Sequence, residues 1–157
     1  MALSQLSRSV QGYVVFVTGA ASGMGEATAK LFASEGAKVA AIDLNETDLQ
    51  RVVGEIEAAG CAVKGWTLDL SDAQAIKSTI DEATAHFGGL DMLVNNAGIS
   101  IPSPIDSEDY EGAWSKSFDV LITAHMRTIR AALPHIRQSQ NPRIVNIAST
   151  EGLGATR

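Results

Sequence analysis

Thr18-Gly19-Ala20-Ala21-Ser22-Gly23-Met24-Gly25 has the composition of an anion-binding turn. Glycines let a backbone turn sharply and approach a bulky phosphate closely. Where such a turn opens a helix, the first N–H groups lack intrahelical partners and the helix dipole adds positive potential. A diphosphate suits that arrangement. Gly19, Ala21, Ser22, Gly23, Met24 and Gly25 are therefore candidate ligand contacts. A glycine pattern by itself is equally compatible with a plain tight turn. What favours the ligand reading is context: an apolar run precedes this segment and a helical pattern follows it.

Asp43 is the second candidate. It closes the next apolar run, about 18 residues after Gly25, where an acid accepts hydrogen bonds from the hydroxyls of an adenosine ribose. The plainer alternative is a cap for the helix that begins at Asn45. A carboxylate there would repel a 2′-phosphate. No Arg or Lys lies between Gly19 and Gly25 or immediately after Asp43. NAD is accordingly expected over NADP, with Leu44 beside Asp43 among its contacts.

The elements that must position these residues alternate between two periods. Tyr13–Val17 is apolar on both faces and reads as a buried strand. Met24, Ala27, Leu31 and Phe32 recur at helical spacing from about Gly23 to Glu35, and Gly36 stops that helix. Lys38–Ile42 is a second buried strand. Asn45–Ala59 is helical, with Leu49, Val52, Val53 and Ile56 on one stripe. Ala62–Leu68 is a third strand, less apolar and so nearer a sheet edge. Ser71 is expected to cap a helix running to about Phe87. Leu90–Val94 is the fourth strand and residues 99–109 form a loop. A long helix is expected from about Tyr110 to Gln138, loosened in its last turns by Pro134. Arg143–Ala148 is the fifth strand. Strict alternation predicts a parallel sheet with helices on both faces.

Composition narrows the function. The 157 residues, 45% hydrophobic and 19% charged, are an ordinary globular balance. A net charge of −6 argues against a nucleic-acid partner. No apolar run reaches the length of about 20 residues that spans a membrane. Cys61 is the single cysteine, so no intrachain disulfide forms. Met1–Val10 lacks the apolar block of a secretory signal, and a cytoplasmic location is expected. His86, His125 and His135 fall on helices without a partner at metal spacing, so no metal is expected. Asp81-Glu82 and Glu108-Asp109 read as solvated faces or helix-start charges, and Trp114 as packing.

Four segments together resemble the short-chain dehydrogenase/reductase family. They are the glycine turn from Thr18 to Gly25, Asp69-Leu70 after the third strand, Asn95-Asn96-Ala97-Gly98 after the fourth, and Arg143-Ile144-Val145-Asn146-Ile147-Ala148-Ser149. The likeness covers nearly the whole chain. It implies an α/β, Rossmann-type doubly wound parallel sheet with strand order 3-2-1-4-5, truncated after the fifth strand. Residues 1–157 would be a single, incomplete NAD-binding domain without the C-terminal strands and substrate loop. It implies that Asp69 bonds the adenine amino group with Leu70 beside it. Asn96, Ala97 and Gly98 would lie along the cofactor, and Ser149 would be the catalytic serine that steadies a developing oxyanion.

Two departures accompany the likeness. The family's Tyr-x-x-x-Lys pair, which exchanges a proton while hydride moves, falls beyond Arg157; Tyr13 and Tyr110 cannot replace it. Many members carry an asparagine that anchors a relay water where this chain has Leu121. The leading expectation is the cofactor-binding half of an oxidoreductase that interconverts a secondary alcohol and a ketone. The chain alone would be inactive, and the full-length form would be a dimer or tetramer. The alternative is a truncated, non-catalytic protein that binds a dinucleotide or a partner. A methyltransferase on a similar sheet has no use for the Asn-Asn-Ala-Gly turn.

Overall fold

The computed structural model describes residues 9–149. Strand β1, Val14–Thr18, leads through the glycine turn into helix α1, Gly23–Ser34; β2, Lys38–Asp43, is followed by α2, Glu46–Ala58. Strand β3, Val63–Thr67, precedes α3, Ala73–Phe87, and β4 is Met92–Asn95. Helix α4, Tyr110–Phe118, runs into a wider π-helical turn, Asp119–Thr123, and on into α5, Ala124–Ile136, before β5, Arg143–Asn146.

Among the described residues the strands form one parallel sheet in the order β3-β2-β1-β4-β5. That is the expected 3-2-1-4-5 order. Alternate residues of β1 serve opposite cores. Val15 and Val17 join Val39, Ala41 and the α2 stripe of Leu49, Val52, Val53 and Ile56. Val14 and Phe16 join Ala40, Ile42, Leu93 and residues of α3 and α5, including Ile76, Ile80, Ala132 and Ile136. Because both faces of β1 are covered, Val14–Val17 include no polar residue, which explains the uninterrupted apolar run. Strand β3 is the edge expected from its mixed composition, and β5 is exposed along its length at the opposite edge.

Several expectations need correction. Asp72, not Ser71, caps α3, accepting from the Gln74 and Ala75 amides. Ser71 is diverted: its N–H and hydroxyl both donate to Asp69 Oδ1, at 2.8 and 2.7 Å. The single long helix is interrupted at Asp119–Thr123, where the Ala124 N–H donates to the Asp119 carbonyl, five residues back. One residue more than an α-helical turn is thereby inserted. Helix α5 ends at Ile136, just past Pro134, as an imino acid without N–H favours. Strand β5 ends at Asn146 rather than Ala148. Tyr13 sits just before β1, half-buried, and bonds Asn141 through its hydroxyl. Trp114 is 55% exposed and stacks between Tyr110 and Phe118 instead of packing into the core.

Candidate functional site

The glycine turn is shaped by two close approaches. Gly19 has φ +69°, and a Cβ there would lie 2.9 Å from both the Ala97 Cα and Asn96 Nδ2. A Cβ on Gly25 would overlap the Gly19 carbonyl oxygen. Only glycine lets the turn pack against the strand β4 exit and against itself. Ser22 occupies the N-cap of α1 with extended backbone, φ −154° and ψ 166°, yet among the described residues its side chain makes no capping bond. Helices α2 and α3, by contrast, are capped by Asn45 and Asp72. The first amides of α1 are therefore left to whatever occupies the space in front of them.

Asp43 ends β2 beside that turn. Its Oδ2 accepts from the Ala21 amide at 3.0 Å and its Oδ1 from the Asn45 amide at 2.9 Å. It does not cap α2, since the Asn45 side chain accepts from the Asp48 amide in that role. Each carboxylate oxygen keeps a further acceptor site, so Asp43 both holds the turn and remains able to receive a hydroxyl.

The Asn95–Gly98 turn is latched to the end of β1. The buried Thr18 Oγ1 accepts from the Asn96 and Ala97 amides, both at 3.0 Å. Asn96 Nδ2 donates to the Thr18 carbonyl at 3.0 Å. Asn95 is 1% exposed and bridges three elements. Its Nδ2 donates to Asn146 Oδ1 of β5 at 2.9 Å, and its Oδ1 accepts from Thr128 Oγ1 of α5 at 2.8 Å. Leu121, in the π-helical turn, reaches Gly98: its Cδ2 is 3.3 Å from where a Gly98 Cβ would be.

These segments surround one cleft of about 460 Å³ at the C-terminal ends of β1, β2 and β4. Gly19, Ser22, Gly23, Met24, Asp43, Leu44, Asp69, Leu70, Asn96, Ala97 and Gly98 all line it. Ala21 and Gly25 are buried behind the turn, and they shape the cleft without lining it. Ser149 is exposed, beyond the end of β5, and is not among the lining residues. Ile42, Leu68, Ile99, Lys116 and Val120 also line the cleft but were not singled out from sequence. Lys116 carried no readable signal because its approach depends on how α4 docks. It adds positive potential near Asp69, whose carboxyl lies below the usual carboxylate range, chiefly through the two Ser71 bonds. The cleft sits where the sheet's chain order reverses between β1 and β4, the crevice in which open α/β sheets hold ligands.

Residues 13–156 match the short chain dehydrogenase family. The chain belongs to that family. It is 43% identical over 151 residues to 2,5-dichloro-2,5-cyclohexadiene-1,4-diol dehydrogenase LinX of Sphingobium indicum, covering 96% of this chain and 60% of that one. It is 33% identical over 143 residues to 2,3-dihydro-2,3-dihydroxybenzoate dehydrogenase of Bacillus subtilis, covering 91% of this chain and 54% of the relative. A solved short-chain dehydrogenase/reductase from Serratia marcescens, a double mutant, superposes with a TM-score of 0.88 at 30% identity, over 96% of this chain and 60% of that one. The chain thus spans about 60% of the length of the relatives it matches.

Outside the cleft, no group of three or more His, Cys, Asp or Glu among the described residues is placed to hold a metal ion. His135 does have a carboxylate partner: its Nε2 lies 3.1 Å from Asp81 Oδ1. Asp81 also pairs with Lys77, so it is not merely solvated. Glu82 accepts from Trp66 Nε1 at 3.2 Å. Among the described residues, no helix is long and apolar enough to cross a membrane.

Proposed function

We propose that this chain supplies the NAD(H)-binding half of an oxidoreductase that interconverts a secondary alcohol and a ketone. The observation that carries the reading is the single cleft shared by the glycine turn, Asp43, Asp69 and the Asn96–Gly98 turn. The residues fit a dinucleotide. Gly19 and Gly25 let the turn pack against the β4 exit and against itself, and the uncapped start of α1 offers amides to a diphosphate. Asp43 receives the adenosine ribose hydroxyls and disfavours a 2′-phosphate. Asp69 and Leu70 flank the adenine, and Asn96, Ala97 and Gly98 lie along the rest of the molecule. The bound nicotinamide accepts or donates hydride.

Ser149 is assigned the substrate oxygen, to which it donates a hydrogen bond. The proton-exchanging Tyr-x-x-x-Lys pair is assigned to a longer polypeptide that contains this chain. The two dehydrogenases compared above are named for a dichlorocyclohexadiene diol and for 2,3-dihydro-2,3-dihydroxybenzoate, so cyclic diols head the substrate panel. Self-association of the full-length form is assigned to the face that runs from α4 through the π-helical turn into α5, where Trp114, Phe118, Ile122 and Met126 are exposed.

Calorimetry on the full-length protein tests the reading. NADH is expected to bind more tightly than NADPH; no NADH binding would overturn it. Residues 1–157 alone are expected to show no turnover with NAD and secondary alcohols. The second reading, a dinucleotide-binding protein without catalysis, is favoured by Leu121, an apolar residue at the relay position. NADH binding without turnover of any alcohol by the full-length form would support it.

A further inference from the structure

Arg51 lies on α2, outside the cleft, yet it reaches the glycine turn. Its Nη2 donates to the Ala21 carbonyl at 3.1 Å and to Glu26 Oε2 at 2.9 Å. Its Nη1 donates to Glu55 Oε1 at 2.9 Å and to Glu26 Oε1 at 3.2 Å. Lys30 joins the same two acids but does not touch the turn. Residue 21 is therefore held at both ends: its N–H by Asp43 and its C=O by Arg51. The next residue, Ser22, begins the run Ser22–Met24 that lines the cleft at the start of α1.

We propose that Arg51 is a positioning residue for the cofactor diphosphate. It fixes the Ala21–Ser22 peptide, and with it the direction of the amides that follow. The inference rests on the dinucleotide reading given above. A guanidinium suits the task because its fork serves a carbonyl and two carboxylates at once. A lysine ammonium would carry the same charge from a single point. Acids on both sides hold the guanidinium in place, so the Ala21 contact is built into the junction of α1 and α2.

The test measures NADH affinity by titration, and adenosine affinity by competition, on the full-length protein. Arg51→Met is expected to raise the NADH Kd about tenfold or more and to leave adenosine within about twofold. Lys30→Met, which breaks the same ion network away from Ala21, is expected to leave both unchanged. Arg51→Lys is expected to recover only part of the lost affinity. Unchanged NADH affinity in Arg51→Met would overturn the proposal. So would equal losses for both ligands, an equal loss in Lys30→Met, or full recovery in Arg51→Lys. Absence of NADH binding by the unaltered protein would instead overturn the dinucleotide reading and this inference with it.

Discussion

The Gly25 Cα faces the Gly19 carbonyl oxygen so closely that any Cβ on residue 25 would overlap it. The first turn of α1 closes over its own entry loop, and Ser22, Gly23 and Met24 of that turn line the cleft. Gly25→Ala must therefore move backbone, not a flexible side chain. We expect it to destabilise the fold by roughly 2 kcal/mol or more and to abolish NADH binding. Gly23 is the internal control. It has φ +54° but open space around it, so Gly23→Ala is expected to cost about 1 kcal/mol of backbone strain. Urea denaturation and NADH titration of the two variants check this; equal effects would contradict it.

Asp43 has two tasks, and substitutions separate them. Asp43→Ala removes the ribose acceptor and also releases the Ala21 and Asn45 amides. NADH affinity is expected to fall at least about tenfold, while NADPH affinity falls less because the charge that opposes its phosphate is gone. Asp43→Asn is nearly isosteric. Its NH2 group must nevertheless meet one of two backbone N–H donors, so it is expected to perform no better than Asp43→Ala. An Asn variant that binds NADH clearly better than Asp43→Ala would contradict this.

Much of this arrangement could be read before any coordinates. The run Val14–Val17 announces a strand covered on both faces, because only such a strand lacks polar positions. Glycines at 19 and 25 are readable because no other residue permits the approach they make. The choice of Asp72 over Ser71 as the α3 cap is not readable, since both types cap well; Asp69, brought alongside by the β3 exit, claims Ser71. The interruption at Asp119–Thr123 has no proline or glycine to mark it. Arg51 resembles any charged residue on a solvated helix face until α2 packs beside α1. Local chemistry is legible in sequence, and contacts made by docking are not.

The ion network behind the turn should register in acid. Hydrogen bonds from Arg51, then Lys30, hold the Glu26 carboxyl down at about 2, well below its ordinary 4.5. A depressed carboxyl contributes stability above its unfolded value and loses it as pH falls through 4.5 toward about 2. Glu26→Gln lacks the ionisation. The stability gap between the unaltered protein and Glu26→Gln is therefore expected to be full at pH 6 and to shrink by about pH 3. Urea midpoints at the two pH values measure it. A gap independent of pH would mean that Glu26 charge contributes nothing to the junction.

Asn95 provides the sharpest contrast between size and charge. It is almost fully buried, donating to Asn146 and accepting from Thr128, and no cation is among these partners. Asn95→Leu loses both bonds, but Thr128 can still donate to the Ala124 or His125 carbonyl and Asn146 is exposed to water. That variant leaves no donor stranded and is expected to cost about 1–2 kcal/mol. Asn95→Asp is closer in shape yet expected to cost more, about 3 kcal/mol or above at neutral pH, because it buries an uncompensated carboxylate. Burial raises the folded pKa of the new acid. Its penalty is therefore absent below the unfolded value of about 3.9 and grows as pH rises through the folded one. Protonated, the carboxyl can donate to Asn146 much as the amide does. Denaturation from pH 3 to 7 should show Asn95→Asp approaching the unaltered protein only at the acid end. A penalty constant across that range would mean that lost geometry, not buried charge, sets the cost at this junction of β4, β5 and α5.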